Sequence, residues 1–137
     1  MPLVRIDLPE GTSAEQRRAI GDAVHAGLVA GLEMPAEDRF QLARTAPAEH
    51  FSFDPHFMGG TRRAPVFVEV LLVRGYSTEV KRATFAALAR ELEAAGVRPD
   101  DVFVALHENG PEDWYVGRAG DDADDADAVE GDPGGGA

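Results

Sequence analysis

Apolar residues recur along this chain with two periods, one typical of a β-strand and one typical of an amphipathic helix. Leu3–Leu8 has the pattern of a short strand, and a helix is predicted to begin at Thr12 or Ser13 and to end near residues 31–35. Ser13 is followed three residues later by Gln16, a capping-box pattern. Four apolar residues fall on one face of this helix: Ile20, Val24, Leu28 and Leu32. The first third of the chain is therefore predicted to form a strand and then an amphipathic helix.

The middle of the chain contains two extended segments and an irregular connection. Arg39–Ala43 is predicted to be a short extended segment, because Phe40 and Leu42 alternate with polar neighbours. Thr45–Arg63 contains two Pro, two Gly and clustered aromatic residues, which predicts an irregular connection with room for one short strand. Val66–Val73 is almost continuously aliphatic, which is typical of a strand buried on both faces.

The last third of the chain repeats the helix and the strand. Ser77 can cap a second helix, which Gly96 would end. The predicted buried face of this helix carries Phe85, Leu88, Leu92 and Ala95. Residues 99–101 then turn the chain into a predicted strand, Val102–Leu106.

The two halves of the chain match each other at an offset of about 63 to 64 residues. Pro2 and Pro65 each open an apolar strand, and Ser13 and Ser77 each begin a helix. We therefore predict an α/β (α+β) fold of two fused β-α-β units, which form one small, mainly parallel sheet with two helices on one face. The other face of the sheet would need cover, which oligomerisation can supply.

Composition and charge divide the chain into a folded part and a tail. Residues 1–118 are predicted to form a single domain, and residues 119–137 an acidic tail rich in Gly, Asp and Ala that is too polar to order itself. The formal net charge is −12, and seven of the 25 acidic residues but no basic residue follow Arg118. No basic surface suits a nucleic acid, and no apolar run is long enough for a bilayer. With no Cys and no secretory segment, we expect a cytoplasmic protein.

Pro2 is the first candidate for chemistry, because it follows the initiator Met1. If Met1 is removed, Pro2 becomes a free N-terminal amine, and α-amino groups titrate at about pH 8, close enough to neutrality for acid–base work. The alternative is that Pro2 only opens an edge strand, where its missing N–H costs nothing.

The chain resembles the tautomerase superfamily, and within it most closely the malonate semialdehyde decarboxylase group. The resemblance runs from Pro2 to Arg118 and combines an N-terminal proline on a strand, duplicated β-α-β units and an arginine after the third long strand. Its most specific stretches are residues 34–41 (MPAEDRFQ), 71–74 (LLVR) and 101–109 (DVFVALHEN), with Asp113-Trp114 and Gly117-Arg118 near the end.

The resemblance implies a role for each matching residue. Pro2 would be the catalytic amine, Asp38 would tune Pro2 or activate water, and Arg74 would bind the carboxylate of a small substrate. The residue types suit these roles, because a guanidinium pairs bidentately with a carboxylate and a nearby carboxylate changes the pKa of an amine. Trp114 and Val116 would line a hydrophobic wall, although Trp114 could equally pack the core or a subunit contact. The resemblance also implies a homotrimer that needs no cofactor.

Tyr76 departs from the pattern of the decarboxylase group, which has a second arginine at this position. A tyrosine in the substrate site can hydrogen-bond a carbonyl but supplies no fixed positive charge. We therefore predict keto–enol tautomerisation or decarboxylation of a small 3-oxo or 2-oxo carboxylate. One alternative is a malonate semialdehyde decarboxylase proper with hydratase side activity. Another, of a different class, is a non-catalytic homo-oligomeric binding protein on the same scaffold.

Two further groups of polar residues receive weaker assignments. Arg62 and Arg63 follow two glycines and could form an anion pocket or lie in a solvated loop. The four histidines are scattered without the spacing of a zinc site, so we predict no metal.

Overall fold

The computed structural model describes residues 1–120, and the tail predicted from residue 119 lies outside the described residues from residue 121 onward. The chain forms two β-α-β units in succession, with these bounds: β1 Leu3–Pro9, α1 Ala14–Leu32, β2 Phe40–Ala46, β3 Val66–Val73, α2 Thr78–Ala94 and β4 Val102–Asn109. The predicted elements are confirmed, and β2 and β4 each continue three residues beyond their predicted ends. Those extra residues are mostly polar, and pairing with the neighbouring strand keeps them extended.

The four strands form one sheet in the order β2-β1-β3-β4. Within each unit the two strands are parallel, and a helix makes the crossover that parallel neighbours require. The two units meet at the centre of the sheet, where β1 and β3 run antiparallel. The sheet is thus mainly parallel, as predicted, with one antiparallel junction.

The core lies between one face of the sheet and the two helices. All four predicted core residues of α1 are buried. Alternate residues of the two central strands point into the core: Val4, Ile6, Leu8, Val66, Val68, Val70 and Leu72. The prediction that β3 is buried on both faces is wrong for the single chain. Glu69 is exposed, and Phe67 and Leu71 are only partly buried, because the helices cover one face alone.

The two helices pack closely because α1 presents glycines to α2. A Cβ on Gly31 would overlap the backbone of Thr84, and a Cβ on Gly27 would lie 2.9 Å from the Cα atom of Leu88. Phe85 is predicted to be buried, but it is 40% exposed, because Thr84 and Ala87 occupy the buried face beside it.

Across residues 1–120, neither helix is long and apolar enough to cross a membrane.

The second face of the sheet carries exposed apolar side chains. Phe40 and Leu42 of β2 are 50% and 51% exposed. Phe67 stacks on Phe51 with ring centroids 5.9 Å apart, and it meets Phe103 edge-on at 5.4 Å. These side chains form an apolar surface that nothing in residues 1–120 covers.

A cleft of about 650 Å³ crosses this second face beside the aromatic side chains. Its polar wall includes Asp7 and Arg44, which lie opposite each other on β1 and β2. The Nε atom of Arg44 donates a hydrogen bond of 2.6 Å to the Oδ1 atom of Asp7, and this bond raises the pKa of Arg44. The pair adds local charge to a mostly apolar face.

The connection between β2 and β3 is irregular, as predicted. It contains two short 3₁₀ turns, Ala48–His50 and Phe57–Gly59, and no strand forms within the described residues 47–65. Its last residues are fixed by Asp101, whose Oδ1 atom accepts hydrogen bonds from the backbone N–H groups of Arg63 and Ala64 at 2.8 and 3.1 Å. This contact closes the connection against the start of β4.

Candidate active site

One edge of the sheet collects the strand ends next to the candidate residues, and we call it the site edge. β1 and β2 begin at this edge, and β3 and β4 end there, with Val73 opposite Asn109. The antiparallel register places Leu3 opposite Leu71, so Pro2 precedes β1 beside the last residues of β3. The topology therefore brings Pro2, Asp38 and Arg74 to the same edge, although they are far apart in sequence.

Pro2 is buried at the start of β1, next to the turn that carries Asp38. The amino nitrogen of Met1 lies 4.0 Å from the Oδ2 atom of Asp38. While Met1 is present, the Pro2 nitrogen is a tertiary amide with no proton to exchange. Loss of Met1 would make that nitrogen the N-terminal amine, on the edge where Asp38 lies.

The residue after Asp38 points its charge toward α1. The Nη2 atom of Arg39 donates hydrogen bonds to Asp22 at 2.7 Å and to the Oε1 atom of Gln41 at 3.2 Å. Gln41 in turn donates to the backbone carbonyl of Gly21 at 3.1 Å. Among residues 1–120, the Met1 amino group is the cation that pairs with Asp38, so this carboxylate stays available to the N-terminus.

Arg74 leaves the sheet directly after β3. Its backbone N–H donates to the carbonyl of Asn109 at 2.8 Å, which extends the pairing with β4 by one bond. Gly75 follows with a φ of 140°, a conformation that favours glycine and lets the chain turn away toward α2. The guanidinium of Arg74 is exposed, and its Nη2 atom lies 3.6 Å from the Oε1 atom of Glu112.

A short turn after β4 closes the site edge on the side of Arg74. The backbone N–H of Gly110 donates to the Oδ2 atom of Asp113 at 2.8 Å. The Nε1 atom of Trp114 donates to the Oδ1 atom of Asn109 at 2.5 Å. Sequence reasoning missed Asn109 and Glu112 as neighbours of Arg74, because no local pattern shows that they adjoin it.

The three candidate substrate-binding residues besides Arg74 differ in their surroundings. Tyr76 is partly buried and packs against the hydrophobic core beside the cap of α2. Trp114 is half-buried and fixed to the end of β4 by its bond to Asn109. Val116 is exposed, so it does not form a closed wall within the single chain.

Arg62 lies outside the site edge and interacts with its own loop. The Nη1 atom of Arg62 donates to the backbone carbonyl of Phe57 at 2.7 Å, in the loop that leads to the opposite edge of the sheet. Within residues 1–120, no group of three or more His, Asp or Glu side chains could hold a metal ion.

The site edge thus combines a position for an N-terminal amine, a carboxylate and an exposed guanidinium. An amine and a carboxylate can move protons, and a guanidinium can bind the carboxylate of a substrate. This combination suits acid–base chemistry on a small organic anion.

Two protein-family models, both described as tautomerase enzyme, match this chain over residues 38–117 and residues 2–59. The chain therefore belongs to the tautomerase family of enzymes, which confirms the resemblance found in its sequence. The curated relative "Probable tautomerase YusQ" of Bacillus subtilis (strain 168) is 29% identical over 119 residues, which are 85% of this chain and 94% of that protein.

Solved structures with the same fold include two of malonate semialdehyde decarboxylase. The FG41 enzyme inhibited by 3-bromopropiolate is 41% identical, with a TM-score of 0.80 over 85% of this chain and 90% of that chain. A second, described with a structural basis for decarboxylase and hydratase activities, is 32% identical, with a TM-score of 0.78 over 85% of this chain and 92% of that chain. A symmetric trimer of fused 4-OT shares the fold at 23% identity, with a TM-score of 0.70 over 83% of this chain and 90% of that chain.

Proposed function

We propose that this protein, once Met1 is removed, catalyses keto–enol tautomerisation of a small 2-oxo or 3-oxo carboxylate with the Pro2 amine. The single observation that carries the proposal is the meeting of Pro2, Asp38 and Arg74 on one edge of the sheet. Membership of the tautomerase family supports it.

Each residue has a defined step in the proposed reaction. Arg74 binds the substrate carboxylate and orients the enol toward Pro2. The neutral Pro2 amine takes the hydroxyl proton of the enol and returns a proton to the neighbouring carbon, so no atom is lost. Asp38 favours protonation of the amine by its negative charge and thereby tunes its pKa. Trp114 and Val116 contact the apolar part of the substrate, and Tyr76 hydrogen-bonds its carbonyl.

Decarboxylation of a 3-oxo acid is the second candidate reaction, because a malonate semialdehyde decarboxylase is 41% identical to this chain. In that reaction the bond between the carboxylate carbon and its neighbour breaks, CO₂ leaves, and the electron pair forms an enolate, which takes a proton from the cationic Pro2 amine. A cationic Pro2 polarises the carbonyl, and hydration of an unsaturated acid is a side reaction with Asp38 activating water. Tyr76 disfavours this candidate, since it supplies no fixed charge for the carbonyl.

The first experiment compares turnover of phenylenolpyruvate by the wild type, Pro2→Ala and Arg74→Ala. Arg90→Ala is the matched control, because Arg90 is an exposed arginine on α2. We expect both site variants to lose activity and the control to keep it, with intact mass showing that Met1 is absent. Equal activity in all four proteins would overturn the proposal, and a rate that depends on Pro2 would exclude a non-catalytic binding protein.

A second experiment separates the two reactions by the charge of Pro2. Titration of the Pro2 nitrogen by NMR reports whether the amine is neutral or cationic at the pH of activity. A neutral amine supports the general-base route of the tautomerase. An amine that stays cationic throughout the active range contradicts that route and favours decarboxylation.

We also propose that the protein is a homotrimer whose subunits cover the second face of the sheet. The exposed side chains of Phe40, Leu42 and Phe103 form an apolar surface that association would bury. The symmetric trimer of a protein with the same fold supports this number of subunits. Light scattering of the purified protein is expected to give three times the chain mass, and a monomer at micromolar concentration would contradict the assignment.

A further inference from the structure

The guanidinium of Arg74, which we propose binds the substrate carboxylate, already faces the carboxylate of Glu112. The Nη2 atom of Arg74 lies 3.6 Å from the Oε1 atom of Glu112, and their side chains are 62% and 63% exposed. An exposed pair of this kind is weak enough to open when another anion arrives. A substrate carboxylate that binds Arg74 must therefore compete with Glu112 for the same cation.

Contacts of the backbone, and not only the length of the two side chains, keep Glu112 beside Arg74. Asn109 links the two segments, since its backbone carbonyl accepts from the N–H of Arg74 and its side chain accepts from Trp114, which ends the turn that carries Glu112. The carboxylate of Glu112 occupies the space where residue 110 would carry a Cβ, so any side chain at Gly110 would displace it. The turn that carries Glu112 is thus built against the strand end that carries Arg74.

We propose that Glu112 is a specificity-determining residue, which competes with the substrate for Arg74 and selects against substrates with a second carboxylate. A monocarboxylate only has to displace Glu112 from Arg74. A dicarboxylate must also place its second negative charge near Glu112, where like charges repel. The favoured substrates are small monocarboxylates whose remaining part is neutral. This inference rests on the proposed role of Arg74 as the carboxylate-binding residue.

The test uses Glu112→Gln, which keeps the size of the side chain and removes its charge. The control is Glu93→Gln, because Glu93 is an exposed glutamate in the last turn of α2, at the opposite edge of the sheet. We expect Glu112→Gln to lower KM for phenylenolpyruvate about two- to fivefold with an unchanged kcat. The decrease should be larger for the enol of oxaloacetate, which carries two carboxylates.

Binding gives a second measurement that does not depend on turnover. Trp114 is the single tryptophan of the chain, and it lies in the same turn as Glu112. Titration with propanoate, followed by the fluorescence of Trp114, should give a lower Kd for Glu112→Gln than for the wild type and for Glu93→Gln. A purely structural role of Glu112 would leave the neutral, isosteric glutamine without this effect.

The possible results separate this inference from the proposed function. If Arg74→Ala abolishes propanoate binding while Glu112→Gln leaves KM and Kd unchanged, the role of Glu112 is overturned and that of Arg74 stands. An equal decrease for Glu93→Gln would also overturn the inference, because it would reflect only the net charge. If Arg74→Ala leaves binding and turnover unchanged, the proposed function itself fails.

Discussion

The two edges of the sheet are built from equivalent parts of the repeat, but the acidic residue at each edge has different surroundings. Pro2 and Pro65 open equivalent strands, yet the antiparallel junction places them at opposite edges. We call the edge with Pro65 the far edge. There the side chain of Asp101 is 6% exposed and accepts hydrogen bonds from two backbone N–H groups of the preceding loop. At the site edge, the side chain of Asp38 is 40% exposed and faces the N-terminus.

The difference shows how the same kind of side chain holds a loop at one edge and stays exposed at the other. The oxygens of Asp101 are occupied by backbone N–H groups and by the guanidinium of Arg98, whose Nη1 atom lies 3.1 Å away. A carboxylate held in this way stabilises the loop that it binds. Asp38 instead faces the amino group of Met1, whose nitrogen lies 4.0 Å from its Oδ2 atom.

The largest expected difference between the edges concerns activity. Pro2→Ala is expected to lower kcat/KM about 10²–10⁴-fold, the usual contribution of a positioned acid or base. Pro65→Ala should keep the wild-type kcat, because the nitrogen of Pro65 is an amide inside the chain. Steady-state kinetics on phenylenolpyruvate measures both. A comparable loss in the two variants would contradict the functional difference between the edges.

The second prediction concerns stability. Asp101→Ala should lower the free energy of unfolding by about 1–3 kcal/mol, because it leaves the backbone N–H groups of Arg63 and Ala64 without their acceptor. Asp38→Ala should change it by less than about 0.5 kcal/mol, as expected for an exposed side chain. Urea unfolding followed by circular dichroism tests both variants. If Asp38→Ala proves as destabilising as Asp101→Ala, the contrast between the two acids is wrong.

The smallest difference between the two units is expected at their helix caps, where they are most alike. The hydroxyl of Ser13 accepts from the N–H of Gln16 at 3.0 Å, and that of Ser77 from the N–H of Val80 at 3.2 Å. Ser13→Ala and Ser77→Ala should each cost about 1 kcal/mol of stability, the usual value for a lost helix cap. The same unfolding measurement checks this equality, which a cost at only one of the two serines would refute.

Local patterns in the sequence predicted the helices and strands well. Features that depend on contacts between distant parts of the chain could not be predicted from it. The bounds of β3 and the caps Ser13 and Ser77 follow from alternation and capping within a few residues. The exposure of Phe85 could not be predicted, because it depends on how close α1 approaches α2. The contact between Arg74 and Glu112 could not be predicted either, since it depends on the register between β3 and β4.

The sequence by itself determined the two β-α-β repeats, the proline behind Met1 and, through the family resemblance, the candidate residues Asp38 and Arg74. Only the tertiary structure decided that the repeats meet antiparallel, which brings the end of β3 beside the start of β1. The crossover within a unit is set by local connection lengths and handedness. The junction between units is set by the burial of one shared apolar face and by the close contact of the two helices, which no short stretch of sequence contains.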